Sequence, residues 1–213
     1  MNKDRPKIFR PPNLGWLDVR LNEKEMDYVW RCIKNKKERR NKYLAGNISN
    51  SYTLLDRGNW FWMNVILPLI KVYADNFGNL GMKFPTSVEH PYELSAWWVN
   101  HQKQNEFNPL HNHKGIYSFV IWMKIPKDIG FKKQKNIKIS SHSNSPLPGV
   151  FEFLYIDIRG NPRTHTYELE PEDEGRMLFF PSQLNHAVYP FFNCDEERIS
   201  VSGNIIIDTS KQL

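Results

Sequence analysis

Residues 151–169 read Phe151-Glu152-Phe153-Leu154-Tyr155-Ile156-Asp157-Ile158, then Arg159-Gly160-Asn161-Pro162, then Arg163-Thr164-His165-Thr166-Tyr167-Glu168-Leu169. Two runs rich in aromatic and β-branched residues, Phe151 to Ile158 and Thr164 to Leu169, flank a Gly-Asn-Pro turn signal, the pattern of two strands joined by a short turn. Similar runs recur at Tyr92 to Asn100, Gly115 to Ile125, Arg176 to Phe180, Ala187 to Phe191 and Arg198 to Ile207. Short strands at such regular spacing predict a sandwich or double-sheet jelly roll. Between Lys127 and Pro148 lies a polar stretch with five Lys, four Ser and two Pro. It reads as a long loop, and such loops often serve as lids or recognition elements.

Before Pro85 the pattern is helical. Asn22 is a good N-cap with Glu25 three residues on, as in a capping box. Met26, Val29, Trp30 and Ile33 then follow on one helix face. A second helix is expected from Trp60 to about Asn76, interrupted near Pro68 and closed at Gly78. The basic run Lys34 to Lys42 reads as a solvated helix end rather than a nucleic-acid contact. The expected class is therefore mainly β with N-terminal helices (α+β): residues 1–85 as a helical support region and residues 86–213 as a β core, one compact unit overall.

With 213 residues, 29 Lys and Arg against 23 Asp and Glu, and 14% aromatics, the chain is long enough for a proper core and is not a disordered sequence. A net charge of +6 permits an acidic partner without demanding one. Two cysteines, Cys32 and Cys194, make no disulfide framework and no Cys-x-x-Cys motif. The most apolar stretch, Phe61 to Ile70, is too short to cross a bilayer and carries Asn64 and Pro68. No apolar leader follows Met1, and a cytoplasmic protein with no membrane association is expected.

The chemistry-bearing residues begin at Asn108-Pro109-Leu110-His111-Asn112-His113-Lys114-Gly115. Residues i and i+2 of a strand share a face, so His111 and His113 can aim two imidazoles at one point. Such a pair suits iron, copper, nickel or zinc. His186, in Phe179-Phe180-Pro181-Ser182-Gln183-Leu184-Asn185-His186, lies just inside a later strand and can return to the same cavity. Arg198 opens a strand whose alternation puts Arg198, Ser200, Ser202 and Asn204 on one face and Ile199, Val201 and Ile205 on the other. If the polar face lines the barrel, the arginine needs a partner, and a bidentate carboxylate fits best. His90, His101, His142 and His165 lack matching partners and read as surface or structural residues. The acidic runs Glu172 to Glu174 and Asp195 to Glu197 read as solvated turns. Neither a phosphate-binding glycine loop nor a Ser-His-Asp arrangement is apparent.

Taken together, these residues resemble the 2-oxoglutarate- and Fe(II)-dependent oxygenases, whose jelly roll is also called a double-stranded β-helix. That superfamily carries the order His-x-acid, His, Arg-x-Ser. The match is closer to a subgroup with His-x-His, Phe-Pro-Ser followed by His, and Arg-Ile-Ser-x-Ser. Oxygenase-like proteins of marine cyanobacterial and related phages are more similar still, sharing Leu44-Ala45-Gly46-Asn47-Ile48, Phe107-Asn108-Pro109-Leu110-His111, Phe119 to Pro126 and Asn193-Cys194-Asp195-Glu196. The resemblance spans about residues 43–207. It implies Fe(II), 2-oxoglutarate and O2, with His111 and His186 as iron ligands and Arg198 on the distal carboxylate of 2-oxoglutarate. Ser200 would be a second donor there, and Asn100 and Tyr117 would line the cosubstrate pocket. His113 stands where most of the superfamily has Asp or Glu and would be the third ligand, leaving the ferrous charge uncompensated by protein. The implied activity is hydroxylation of a C–H bond in an unidentified protein or small-molecule substrate, a prolyl side chain among the candidates, in a host cytoplasm if phage-encoded. The loop from Lys127 to Pro148 would cover the site. The alternatives are a three-histidine cupin-like metalloenzyme without 2-oxoglutarate, a non-catalytic jelly-roll binding module, and nucleic-acid binding through the segment 34–42.

Overall fold

The centre of the fold is a strand apolar on both faces. In the computed structural model, which describes residues 13–140 and 142–212, Tyr117–Lys124 is buried along all but its last residue. Numbered in chain order, the strands are β1 (Leu17–Arg20), β2 (Asn50–Thr53), β3 (Tyr92–Gln102), β4 (Asn108–His111), β5 (Tyr117–Lys124), β6 (Phe151–Ile156), β7 (Pro162–Tyr167), β8 (Arg176–Pro181), β9 (Asn185–Val188) and β10 (Arg198–Ile207). They form a six-stranded sheet in the order β1-β8-β5-β10-β3-β2 and a four-stranded sheet in the order β4-β9-β6-β7, with every pairing antiparallel.

Alternation along β5, β8 and β10 sorts the side chains into two layers. Tyr117, Phe119, Ile121 and Met123 of β5, Met177 and Phe179 of β8 and Val201 and Ile205 of β10 face the helices. Val120, Trp122, Leu178 and Phe180 face the small sheet, where they meet Phe151 and Phe153. The helical layer is made by α1 (Glu23–Lys34) and α2 (Leu67–Phe77). Asn22 Oδ1 accepts from the Glu25 amide at 3.0 Å and the Glu25 carboxylate accepts from the Asn22 amide at 2.8 Å, so the expected capping box is formed. The second helix enters through a π-helical turn, Trp62–Ile66, and Pro68, which has no N–H to donate to the preceding turn, stands in the first turn of α2 directly after it. Asp56 caps that entry by accepting from the amides of Phe61 and Trp62. Gly78 ends α2 at φ 83°.

Two short strands, β1 and β2, depart from the sequence expectation, which reads residues 1–85 as helical support, and β4 lies between the runs read as strands in the β core. All three are four residues each, too short for periodicity to show, and are ordered by the strands they pair with, β8, β3 and β9. The basic run is also not a helix end. Helix α1 stops at Lys34, and residues 37–40 pair with β2 through Lys37 N to Thr53 O, Thr53 N to Glu38 O and Arg40 N to Ser51 O. The stretch 127–148 is not an open loop. It contains a 3-10 turn and the short helix α3 (Phe131–Gln134), and buries Ile129, Phe131 and Gln134. Gln134 bonds both the N–H and the C=O of Phe192. Cys32 and Cys194 are buried free thiols.

Gly203 sits where β10 crosses beneath two aromatic side chains. A Cβ there would lie 2.5 Å from ring atoms of Phe119 and 2.9 Å from Trp97 Cβ. Gly203→Val is expected to lower the unfolding free energy by about 1–3 kcal/mol through overpacking, measured by urea denaturation.

Candidate metal centre

In the small sheet, His111 of β4 and His186 of β9 are direct cross-strand partners. The chain leaves β4 after His111, and His113 is tied by its amide to Ser182 O at 2.8 Å. The three ring centroids lie 4.3 Å (111–186), 4.9 Å (111–113) and 5.0 Å (113–186) apart. One donor nitrogen from each lies within 4.8 Å of the others. The i, i+2 geometry expected from a single strand is thus achieved by a strand end and the residues beyond it.

Two of the rings have a fixed tautomer. His111 Nδ1 lies 2.7 Å from Pro109 O and His186 Nδ1 lies 2.9 Å from Leu184 O. A carbonyl only accepts, so each Nδ1 carries the proton and each Nε2 keeps its lone pair. Burial pushes the His186 imidazole down to about 3, with His111 and His113 adding to the effect. Burial and then His111 push His113 down to about 4. Burial also lowers His111, against the pull of the Pro109 carbonyl. Three neutral imidazoles with free lone pairs are a fitting donor set for a divalent transition metal such as Fe(II).

The same cavity is lined by Arg198, Ser200, Ser202, Asn100 and Gln102. Arg198 is 2% exposed. Its Nε and Nη2 donate to Gln102 Oε1 at 3.0 and 2.7 Å, and its Nη1 donates to the Gly149 carbonyl. Burial pushes the guanidinium down to about 10, so it stays charged at neutral pH. Among the described residues it has no carboxylate partner. Gln102 is its cross-strand neighbour on β3. Ser200 opposes Asn100, whose Oδ1 accepts from Ser51 Oγ at 2.6 Å. Trp122, Phe151 and Phe180 supply the apolar wall.

The structure does not bring Tyr117 to this cavity. Alternation turns it to the opposite face of β5, where it stacks on Phe179 and its hydroxyl accepts from the Leu80 amide. Nor does any described residue of 127–148 line the cavity; Leu44, Ala45, Gly46 and Ile48 do. Gln102, Ser51, Trp98 and Gly149 are the residues that sequence reasoning passed over. Alternation along β3 would have placed Trp98, Asn100 and Gln102 on one face; Gly149 and Ser51 carried no local signal.

A double-stranded β-helix with a histidine cluster and a buried arginine between its sheets defines the class. The family described as "Putative 2OG-Fe(II) oxygenase" matches residues 96–204, a span holding all three histidines and Arg198. The chain belongs to the 2-oxoglutarate- and Fe(II)-dependent oxygenases, and its cofactors are Fe(II), 2-oxoglutarate and O2. Solved structures share the fold. A Pseudomonas putida prolyl-4-hydroxylase is 14% identical with a TM-score of 0.50, over 91% of this chain and 93% of that one. A 2OG-Fe(II) oxygenase-family oxidoreductase from Burkholderia pseudomallei is 12% identical with a TM-score of 0.53, over 90% and 84%. Iron-bound HygX from Streptomyces hygroscopicus is 10% identical with a TM-score of 0.50, over 92% and 83%. No curated protein matches by sequence. No helix among the described residues is long and apolar enough to cross a membrane.

Because the imidazoles are held below their unfolded value of about 6.5, the unfolded chain binds more protons as pH falls, and stability falls with it. The metal-free protein should hold its stability above about pH 6.5 and lose it progressively toward pH 4. His186→Asn should flatten that dependence in thermal unfolding measured across the range.

Proposed function

We propose that the chain hydroxylates a C–H bond of its substrate, with His111, His113 and His186 holding Fe(II) and Arg198 holding the distal carboxylate of 2-oxoglutarate. The observation that carries this reading is Arg198: a buried, charged guanidinium without a carboxylate partner, in the cavity that also holds three neutral imidazoles. An isolated buried charge is costly, and a dicarboxylate with a keto-acid end supplies what both parts of the cavity lack. When bound, Fe(II) and 2-oxoglutarate supply the oxidising chemistry: with O2, 2-oxoglutarate becomes succinate and CO2, and one oxygen atom enters the substrate C–H bond.

The protein's part is positional. Pro109 O and Leu184 O hold two imidazoles in the tautomer that presents Nε2. Gln102 and the Gly149 carbonyl fix the Arg198 fork while leaving N–H groups for a ligand, with Ser200 as a second donor. Asn100, held by Ser51, lines the same pocket. The aromatic wall keeps water from the reacting centre. The P. putida protein of similar fold is named a prolyl-4-hydroxylase, and a prolyl side chain is the first substrate to test here. Kinship with the His-x-His phage subgroup is part of the proposal and is supported by His113 at the third position. A cytoplasmic location accords with two free cysteines.

Anaerobic addition of Fe(II) and then 2-oxoglutarate to the metal-free protein should give a visible charge-transfer band that needs both components. Arg198→Ala should abolish it by weakening 2-oxoglutarate, with Fe(II) still bound. Iron binding without a band would instead favour a three-histidine cupin-like metalloenzyme, and binding of neither would favour a non-catalytic module. Metal should also raise the midpoint of thermal unfolding, by about 2.7 kcal/mol of added stability at a hundredfold excess over Kd. His186→Ala should remove that gain. His113→Ala should weaken Fe(II), while His113→Asp should retain it by restoring a compensating charge.

A further inference from the structure

The cavity between the sheets is narrow, about 50 Å³. One water needs roughly 10–15 Å³, so with Fe(II) and 2-oxoglutarate in place this space is taken up and the substrate lies outside it. A larger groove, about 430 Å³, is lined by Arg40, Thr53, Asp56, Asn59, Leu94 and Ala96 among others. The contact between Trp98 of the cavity and Arg40 of the groove links the two. Trp98 lines the narrow cavity, its ring lies 5.9 Å from that of His113, and the Arg40 guanidinium lies 5.3 Å from its centroid.

Arg40 is held to this place by its backbone, through the Arg40 N to Ser51 O bond beside β2. Its side chain is half-buried. Its Nε is buried without an acceptor, and among the described residues no carboxylate pairs with it. The neighbouring charges of the groove are otherwise engaged or distant in the fold. Asp56 accepts from Tyr28 and from two backbone amides, and Lys211 pairs with Asp208. Glu93 sits toward the start of β3, opposite Ile206. A buried donor left unpaired costs stability unless a ligand satisfies it. A guanidinium laid on an indole presents its remaining N–H groups in a planar fork suited to a carboxylate or phosphate.

We propose that Arg40 is a substrate-recognition residue: its guanidinium, on Trp98 beside His113, binds an anionic group of a substrate lying in this groove, a carboxylate or a phosphate. The inference rests on the oxygenase reading, since that reading makes the cavity beside it a reaction site. It gives the substrate class a definite feature, a negative charge one indole ring away from the metal ligands.

The test uses full-length protein loaded with diamagnetic Zn(II) and saturating 2-oxoglutarate, so that Arg198 is occupied. Acetate, inorganic phosphate and neutral acetamide are titrated while the Arg40 Nε–H and Trp98 indole N–H resonances are followed by NMR. The signals are assigned with Arg40→Lys and Trp98→Phe. Acetate or phosphate should shift both signals saturably, and acetamide should shift neither. In Arg40→Gln, half-saturation at the Trp98 signal should need on the order of tenfold more anion, and Arg40→Lys should fall between. Tighter acetate points to a carboxylate substrate, tighter phosphate to a phosphorylated one; either supports the proposal. No saturable shift, or an unchanged titration in Arg40→Gln of normal thermal stability, overturns it. The visible Fe(II)–2-oxoglutarate band is an independent readout. A missing band with anion binding at Arg40 retires the oxygenase reading, whereas a band without anion binding retires only the role of Arg40.

Discussion

His111 facing His186 across one rung of the small sheet is the constraint around which the rest of the site is arranged. An antiparallel rung brings two Cβ atoms close regardless of what surrounds them, but two imidazoles set there must be kept neutral and correctly turned. Both conditions are met by neighbours in the same sheets. Phe153 is the His186 partner on the other side, and Phe151 stacks on its ring at 5.6 Å with a 26° tilt. Phe180 closes from the six-stranded sheet at 5.1 Å. This apolar packing disfavours protonation, and the Leu184 carbonyl decides which nitrogen carries the single proton. The aromatic content that makes the β6–β7 hairpin legible as strands therefore also sets the electrostatics of the metal centre.

Charge balance follows from the same packing. The donor set brings no negative charge, and Arg198 brings a positive one into the same enclosure. In the proposed complex the ferrous charge and the guanidinium are both answered by the cosubstrate, whose two carboxylates are then the principal anions of the cavity. Metal and 2-oxoglutarate binding should consequently be more strongly coupled here than in a site where a protein carboxylate shares the load. Gln102 fits this division of labour. As a neutral amide it orients the Arg198 fork without neutralising it, where an acid at the same position would compete with the ligand.

The sequence carried the parts of this arrangement that depend on local rules. The capping box at Asn22 and Glu25 involves four consecutive residues. The turn at Arg159-Gly160-Asn161-Pro162 is closed by Asp157 and Gly160 at φ 78°, and the β10 alternation that places Arg198, Ser200 and Ser202 together is a period-two pattern over ten residues. What stayed hidden depends on partners far along the chain. Strands β1, β2 and β4 exist because β8, β3 and β9 offer them edges. The layer of Tyr117 is not legible because the alternation of β5 says that two faces exist, not which one meets the helices. The run 127–148 looked like a lid from its composition. Its buried Ile129, Phe131 and Gln134, the last bonded to Phe192, are scattered among lysines and give no periodic signal.

The cover of the cavity comes instead from the first third of the chain, and this changes what that third is for. Its helices support the outer face of the six-stranded sheet, as composition suggests, but residues 37–53 leave the helical layer and run along the sheet edge as a paired segment, a loop over the cavity and β2. The loop is held at several points: Asn47 N bonds Phe107 O, and Ser49 N bonds the Glu106 carboxylate. Two kinds of selection can then act on separate parts of the molecule. The histidines and Arg198 lie on strands or at strand ends of the β-helix, where a shift of one residue would turn each side chain away from the cavity. Residues 37–49 meet the cavity from an edge, where insertions and exchanges leave the ladder of the central strands intact. Chemistry is fixed by the sheets, and the choice of substrate is open to change at their border, where Arg40 stands.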